Sequence, residues 1–335
     1  MTFSNNSKGD FMGFFKKNLK PIVSFAVMGV LLVLATFFDL QFSRFAVDLE
    51  PGKYYSTNFF GVFFEIFGER PVYYVTSIGL FFIFFYLKKV STFKKGTKIT
   101  LMVLCAVIAL GLNYYGATKL IKYLLTHGWI SDLEGIMRTV ATVSVAIVFT
   151  ALWLFVCSRI NKKYLKGLAV CGLIIIFTAA FSQAATHLLK PFFGRARYRM
   201  LNVMGDFSQY TRWYVVNGKR SVPEELLALG VAKDGYKSFP SGHTSSAGVI
   251  LAIMSLPVVF KNMPKKVSWI LTIVAYAYTL TVAFSRVVIG AHYASDVIIG
   301  ALLSLVGFYL GVFVIKKYWH ALQRQQTNNS SAFPI

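Results

Sequence analysis

Three short segments concentrate the reactive side chains of this sequence. They are Lys190-Pro-Phe-Phe-Gly-Arg-Ala-Arg197, Ser238-Phe-Pro-Ser-Gly-His243 and Ser285-Arg-Val-Val-Ile-Gly-Ala-His-Tyr-Ala-Ser-Asp296. Lys190, Arg197 and Arg286 are cations with no acid close by in sequence. Guanidinium forks match phosphate oxygens, and an ammonium adds a point charge. Ser241 can donate a hydroxyl hydrogen bond. The amides of Ser241, Gly242 and His243 fall where a helix should begin, a place where free N–H groups and the helix dipole favour an anion. Gly242 would let the backbone come close, and Pro240 gives up no useful donor there. His292 and Asp296 are four residues apart, which on a helix puts them on one face. The carboxylate would then fix the imidazole tautomer and make the other ring nitrogen a better nucleophile. His243 is the candidate acid for a leaving oxygen. The chemistry open to such a set is nucleophilic phosphoryl transfer. His292 attacks phosphorus, His243 protonates the leaving group, and water hydrolyses the phosphohistidine with His243 as base. The cations stabilise the equatorial oxygens throughout.

The elements that must position these residues are membrane spans. Of 335 residues, 56% are hydrophobic and only 14% charged, against about 45–50% and about 25% in a soluble domain. At about 20 apolar residues per crossing, spans are predicted at 22–38, 71–87, 99–118, 139–158, 167–189, 244–260, 267–285 and 294–315. Asp296, near the start of the last span, is the one charge inside them. The first apolar run lacks a small-residue cleavage site, so it is expected to be retained. With the N-terminus in the cytoplasm, the inner segments collect Lys8, Lys16, Lys17 and Lys20, then Lys88, Lys89, Lys94, Lys95 and Lys98, then Arg159, Lys162, Lys163 and Lys166, then Lys261, Lys265 and Lys266, and finally Lys316, Lys317 and Arg324. Asp10 is their one acid. The formal net charge of +22 is therefore chiefly an orientation signal, and no nucleic-acid partner is expected.

One outer loop, 190–242, runs against that trend. It carries Lys190, Arg195, Arg197, Arg199, Arg212, Lys219, Arg220, Lys233 and Lys237, and an anionic ligand is the reason this implies. All three reactive segments lie at span ends on this same face. The segment 39–70 is expected to be an outer loop with a short interfacial helix around Phe59, Phe60, Phe63 and Phe64.

Other residues receive plainer readings. Arg195 and Arg199 are expected to be solvated or to meet lipid headgroups. His187 is expected to pack, and His127 and His320 to be interfacial or exposed. Tyr210, Trp213 and Tyr214 either line a lid or anchor at the interface. Cys105, Cys157 and Cys171 lie in apolar runs and suit packing, not a disulfide or metal framework. The tail 325–335 is polar and expected to be disordered. No internal repeat is present.

The three segments resemble the signature of the type-2 phosphatidate phosphatase superfamily, which includes membrane lipid phosphatases, glucose-6-phosphatases and vanadium haloperoxidases. Its pattern reads K-x6-R-P, then P-S-G-H, then S-R-x5-H-x3-D. Here it falls on Lys190 and Arg197, on Pro240 to His243, and on Ser285, Arg286, His292 and Asp296. Tyr198 stands where the family has proline, which implies altered loop geometry. The resemblance covers about residues 167–316. It implies an all-α polytopic transmembrane bundle, about eight spans here, with the phosphatase core in the C-terminal half. It also implies His292 as nucleophile with His243 and Asp296 as its catalytic partners, and phosphate binding by Lys190, Arg197, Ser241, Gly242 and Arg286. No metal or other cofactor is implied.

The expected organisation is a cytoplasmic segment 1–21, N-terminal spans 22–158, a phosphatase core 159–318 with outer catalytic loops, and a cytoplasmic tail 319–335. The expected activity is hydrolysis of a lipid phosphomonoester or diphosphate, such as phosphatidate, phosphatidylglycerophosphate or a polyprenyl diphosphate, at the outer face of the cell membrane. The substrate and surrounding membrane lipids are the expected partners, and the sequence carries no signal for an oligomeric state. Rival readings are a phosphotransferase to a lipid or sugar acceptor, a sugar-phosphate phosphatase, and a transporter or lipid-binding protein on the same fold.

Overall fold

Caps and breakers divide the apolar sequence into helices. The computed structural model describes residues 6–131 and 133–331. In chain order the helices are α1 (Asn6–Ala46), α2 (Phe59–Phe67), α3 (Pro71–Lys89), α4 (Lys95–Thr126), α5 (Gly135–Ser158), α6 (Lys162–Phe193), α7 (Tyr198–Met204), α8 (Glu224–Ala228) and α9 (Gly242–Ala247). A 3-10 stretch (Gly248–Met254), α10 (Ser255–Val259), α11 (Lys265–Val288) and α12 (Ala294–Ser331) complete the set. No strand occurs among the described residues, so the all-α bundle expected from the sequence is what forms.

Among the described residues, eight helical stretches are long and apolar enough to cross a bilayer, from Pro21–Ala46 to Ala294–Tyr318. Each contains or closely brackets a predicted span, and most run past it. Lys, Tyr and Asn continue a helix beyond its apolar window because backbone hydrogen bonds do not require apolar side chains. Two differences are larger. In the expected outer loop 39–70, α2 forms at the short helix expected around Phe59–Phe64, but α1 continues to Ala46 and α2 leads through a short turn into α3, giving the apolar stretch Phe59–Lys89. The polar tail also differs, since α12 continues to Ser331. The rest of the disorder expected for that tail, residues 332–335, lies outside the described residues.

The sixth crossing is only 18 residues long. Its 3-10 centre (Gly248–Met254) rises about 2.0 Å per residue against about 1.5 Å for α-helix. The crossing therefore reaches about 30 Å, the thickness of the hydrocarbon layer.

The core is continuous across residue 158. Val72, Tyr73 and Tyr74 of α3 are buried with Ile174 and Ile175 of α6, Val249 and Leu251 of the 3-10 stretch, Ala275 of α11, and Leu305 and Phe308 of α12. α3 and α6 cross closely because both present glycine there: a methyl group at Gly172 would fall 2.4 Å from the Gly79 carbonyl oxygen. Small residues give this approach in membranes, where van der Waals contact replaces the hydrophobic effect between helices. The outward faces of α1, α4, α5 and α11 carry exposed Val, Leu, Ile and Phe, as lipid contact demands.

A smaller apolar cluster lies outside the spans. Tyr54, Ala196, Met200, Leu201, Val222, Val231 and Tyr236 pack together, so the long loop between α6 and α9 is a folded cap over one end of the bundle.

Candidate active site

The cap and residues of α2, α3, α4, α6, α7, α9 and α11 line a cavity of about 820 Å³. Lys190 from the end of α6, Arg197 ahead of α7, Gly242 and His243 from the start of α9, Arg286 from the last turn of α11 and His292 ahead of α12 all line it. Two sequence-predicted site residues do not reach its wall. Ser241 is fully buried as the N-cap of α9, where its hydroxyl accepts from Thr244 N at 3.4 Å and Thr244 Oγ1 at 3.0 Å. Its own amide is taken by the Asp296 carbonyl at 3.0 Å. The role expected for Ser241, a donor to phosphate, gives way in this arrangement to capping. A methyl group at Gly242 would meet Lys190 Cε at 3.6 Å, an ordinary contact, so it is the Lys190 side chain that lies over this turn.

Asp296 stands behind the wall. The sequence expects its carboxylate on a ring nitrogen of His292. Instead His292 Nδ1 lies 2.6 Å from the Ser238 carbonyl oxygen and 3.7 Å from Asp296 Oδ2. A carbonyl only accepts, so Nδ1 carries the proton and Nε2 keeps its lone pair. The difference arises because His292 sits ahead of α12 and not within it. Asp296 accepts from the Tyr293 amide at 2.9 Å, from Ser238 Oγ at 2.5 Å and from Arg195 Nη1 at 2.6 Å. It thereby caps the Tyr293 amide at the start of α12 and, through Ser238 Oγ, fixes the segment whose carbonyl holds His292. Burial pushes the His292 imidazole down to about 3, and Arg197 and Lys190 add to that against the opposing pull of Asp296. The ring is neutral near pH 7.

Arg195 and Arg199, expected at the surface, are buried. Arg195 bridges Asp296 and Asp39 of α1, the latter at 2.9 Å, with its guanidinium 4.2 Å above the Tyr293 ring. Sequence reading missed Asp39. Its only signal was a lone acid at the end of an apolar run, beside Phe37 and Phe38. Arg199 lies 3.5 Å from Glu65 Oε1 and stacks on Tyr54 at 4.4 Å.

Two further acids were also missed, Glu65 of α2 and Glu69 of the turn into α3. Glu65 Oε1 accepts from Arg286 Nη2 at 2.8 Å, and Glu65 Oε2 lies 3.0 Å from His127 Nε2. His127 is thus half-buried against Glu65, where an interfacial or exposed position was expected. His243 Nε2 lies 3.2 Å from the Glu65 carbonyl and 3.7 Å from Glu69 Oε2. Arg197 pairs with Asp234 at 2.7 Å. Burial alone would raise the Asp234 carboxyl, but Arg197 and then Arg199 hold it down at about 2. Each of these guanidiniums binds an acid at one end and keeps further donors: Nε of Arg197 and Nε and Nη1 of Arg286 are buried with no partner among the described residues. A tetrahedral anion in the cavity would fill these sites.

The cap aromatics tie down structure. Trp213 Nε1 donates to Thr36 Oγ1 of α1 at 2.9 Å, and Tyr210 packs on Tyr293 with ring centres 5.2 Å apart; Tyr214 alone of the three is exposed. His187 is exposed too and lines the cavity, where packing was expected. Tyr198 opens α7, a first-turn position that also suits proline, so the exchange requires no new course of the chain. His320 belongs to the part of α12 whose side chains lie outside the description.

Comparison with known proteins accords with this geometry. Residues 171–322 match the model of the PAP2 superfamily, a span that holds every predicted site residue. The chain is similar to a lipid A 1-phosphatase of Rhizobium johnstonii, 29% identical over 46% of this chain and 55% of that protein. It is also similar to a lipid A 4'-phosphatase of Porphyromonas gingivalis, 28% identical over 52% of this chain and 61% of that protein. The chain thus spans little more than half the length of these relatives. No solved structure matches.

Proposed function

On the premise that residues 171–322 belong to the PAP2 superfamily, we propose that this multi-pass membrane protein is a lipid phosphatase working through a phosphohistidine on His292. The observation that carries the reading is the His292 ring. Its Nδ1–H is committed to the Ser238 carbonyl at 2.6 Å, which leaves the Nε2 lone pair on a residue of the cavity wall beside Lys190, Arg197 and Arg286.

Nε2 attacks phosphorus and the P–O bond to the lipid breaks. His243, whose Nε2 lies 3.7 Å from Glu69 Oε2, delivers a proton to the leaving oxygen. A water then attacks the phosphohistidine and gives its proton to His243. The P–N bond breaks, and inorganic phosphate leaves. Lys190 and the open donors of Arg197 and Arg286 stabilise the equatorial oxygens as charge builds on them. Basic inner loops support a site on the extracytoplasmic face. The names of both relatives, and a cavity of about 820 Å³, favour a lipid phosphate with a bulky polar headgroup.

The test is phosphate release from phosphorylated lipids by detergent-purified protein. Replacing His292 with Ala should lower the rate by about two to four orders of magnitude while the melting temperature stays near that of the parent. Brief reaction with radiolabelled substrate should leave an acid-labile, alkali-stable phosphoprotein. Undiminished turnover by the variant would overturn the mechanism. Transfer to an added alcohol or sugar in preference to water would make the enzyme a phosphotransferase.

A further inference from the structure

The loop between α6 and α9 carries more positive charge than the catalytic cavity uses. Arg195 is bound by Asp39 and Asp296, Arg199 by Glu65, and Arg197 by Asp234. Arg212 donates to the Tyr214 hydroxyl, and Lys190 donates to the Lys237 carbonyl at 3.0 Å on the wall of the first cavity. The loop's remaining cations are Lys219, Arg220, Lys233 and Lys237. All four line a second cavity, of about 550 Å³, in which Glu224 is the one acid. It adjoins the first, for His187, Lys190, Lys233 and Lys237 belong to the walls of both.

Arg220 is held in place. Its guanidinium lies 4.1 Å from the centre of the buried Tyr236 ring, and it donates to Gln209 at 3.2 Å and to the Tyr236 hydroxyl at 3.3 Å. Neither Lys219 nor Lys233 forms an ion pair with any described residue. Like charges gathered from separate parts of a folded cap repel one another, and an anion between them relieves that repulsion. On an extracytoplasmic face, where orientation disfavours Lys and Arg, a ligand is the reason for such a cluster.

We propose that the second cavity binds a second anionic group, a phosphate or carboxylate, carried on the same headgroup as the phosphate that reacts at His292. This rests on the phosphatase reading above and narrows its substrate class to lipids whose headgroups bear two separated anions. The second group anchors at Lys219 and Arg220, and the headgroup bridges the shared wall at Lys233 and Lys237.

The experiment compares two synthetic glycolipids in neutral detergent with full-length protein. One carries a single phosphate at the reacting position, and the other adds a phosphate at the far end of the same headgroup. Charge-assisted hydrogen bonds of this kind lower KM for the second lipid by about tenfold or more. The double variant Lys219→Gln, Arg220→Gln should erase most of that preference and change KM for the first lipid by less than about threefold. Equal KM values for the two lipids in the parent protein, or an equal loss on both in the variant, would overturn the proposal. So would a defect that appears only when phosphatidylglycerol is added to the micelles, because the cavity would then serve the leaflet and not the substrate. Equilibrium binding of both lipids to the His292→Ala variant decides the matter separately from turnover. Tighter binding of the doubly charged lipid there, with no phosphate release by the parent, would sink the phosphatase reading and leave this site standing.

Discussion

At the scale of single residues, the site depends on how one imidazole is held. His292 donates to a backbone carbonyl and stays neutral because burial outweighs the pull of Asp296. Its neutral form is therefore present down to about pH 3, well below the ordinary histidine range near 6.5. The acid limb of kcat/KM, which reports the free enzyme, should owe nothing to His292 above about pH 4. If the Ser238 carbonyl or the burial around the ring were perturbed, that limb should move up toward 6.5. A pH–rate series from 3 to 9 checks this, and a limb near 6.5 that disappears in a His292 variant retaining residual activity would count against it. The same shift has a stability consequence with a definite sign. Unfolded chain takes up a proton near 6.5 and the folded ring does not until about 3, so acidification across that window favours unfolding.

At the scale of elements, helices from the N-terminal half complete the wall. α1 contributes Asp39, which receives the Ser295 amide at 2.9 Å and the Arg195 guanidinium. Replacing Asp39 with Ala leaves a buried arginine with half its counter-charge. It should cost about 3 kcal/mol and lower turnover, because Arg195 and Asp296 together brace the segment behind His292. Asn at the same place keeps the hydrogen bond to Ser295 and should recover part of the loss in a thermal melt. α2 is seated through Gly61, where an added methyl group would fall 2.1 Å from Ile289 Cγ2. Replacing Gly61 with Val should push α2 off Ile289, draw Glu65 away from Arg286 and cost about 1–3 kcal/mol. Unchanged activity and stability in that variant would show that α2 is not a fixed wall of the site.

At the scale of the whole molecule, the bundle places every site residue at one end and the basic short loops at the other. Cys105, Cys157 and Cys171 are buried, so cysteines introduced at Lys94 and at Lys219 should dominate labelling by a membrane-impermeant maleimide. Label is expected on the Lys219 position in intact cells and on the Lys94 position only after the membrane is opened. The reverse pattern would place the active site in the cytoplasm. The shared core of α3, α6 and α12 also makes the N-terminal spans part of the same folded body as the catalytic segment.

The sequence alone was enough to read the membrane setting, the eight apolar helices and the three motifs that line up at one end of the bundle. Apolar runs and loop charges are local properties, and the three motifs each lie within about a dozen residues. What it could not supply was partnership between residues distant along the chain. Arg195 read as one more surface cation because Asp39 is 156 residues away. Glu65 read as part of an interfacial loop because Arg286 is 221 residues away. The spacing of His292 and Asp296 pointed to a helix face, yet the helix begins only at Ala294, and the hydrogen bond went to Ser238. Only the tertiary structure decided these pairings, because a buried charge must find its counter-charge wherever packing brings one, and packing answers to the whole bundle.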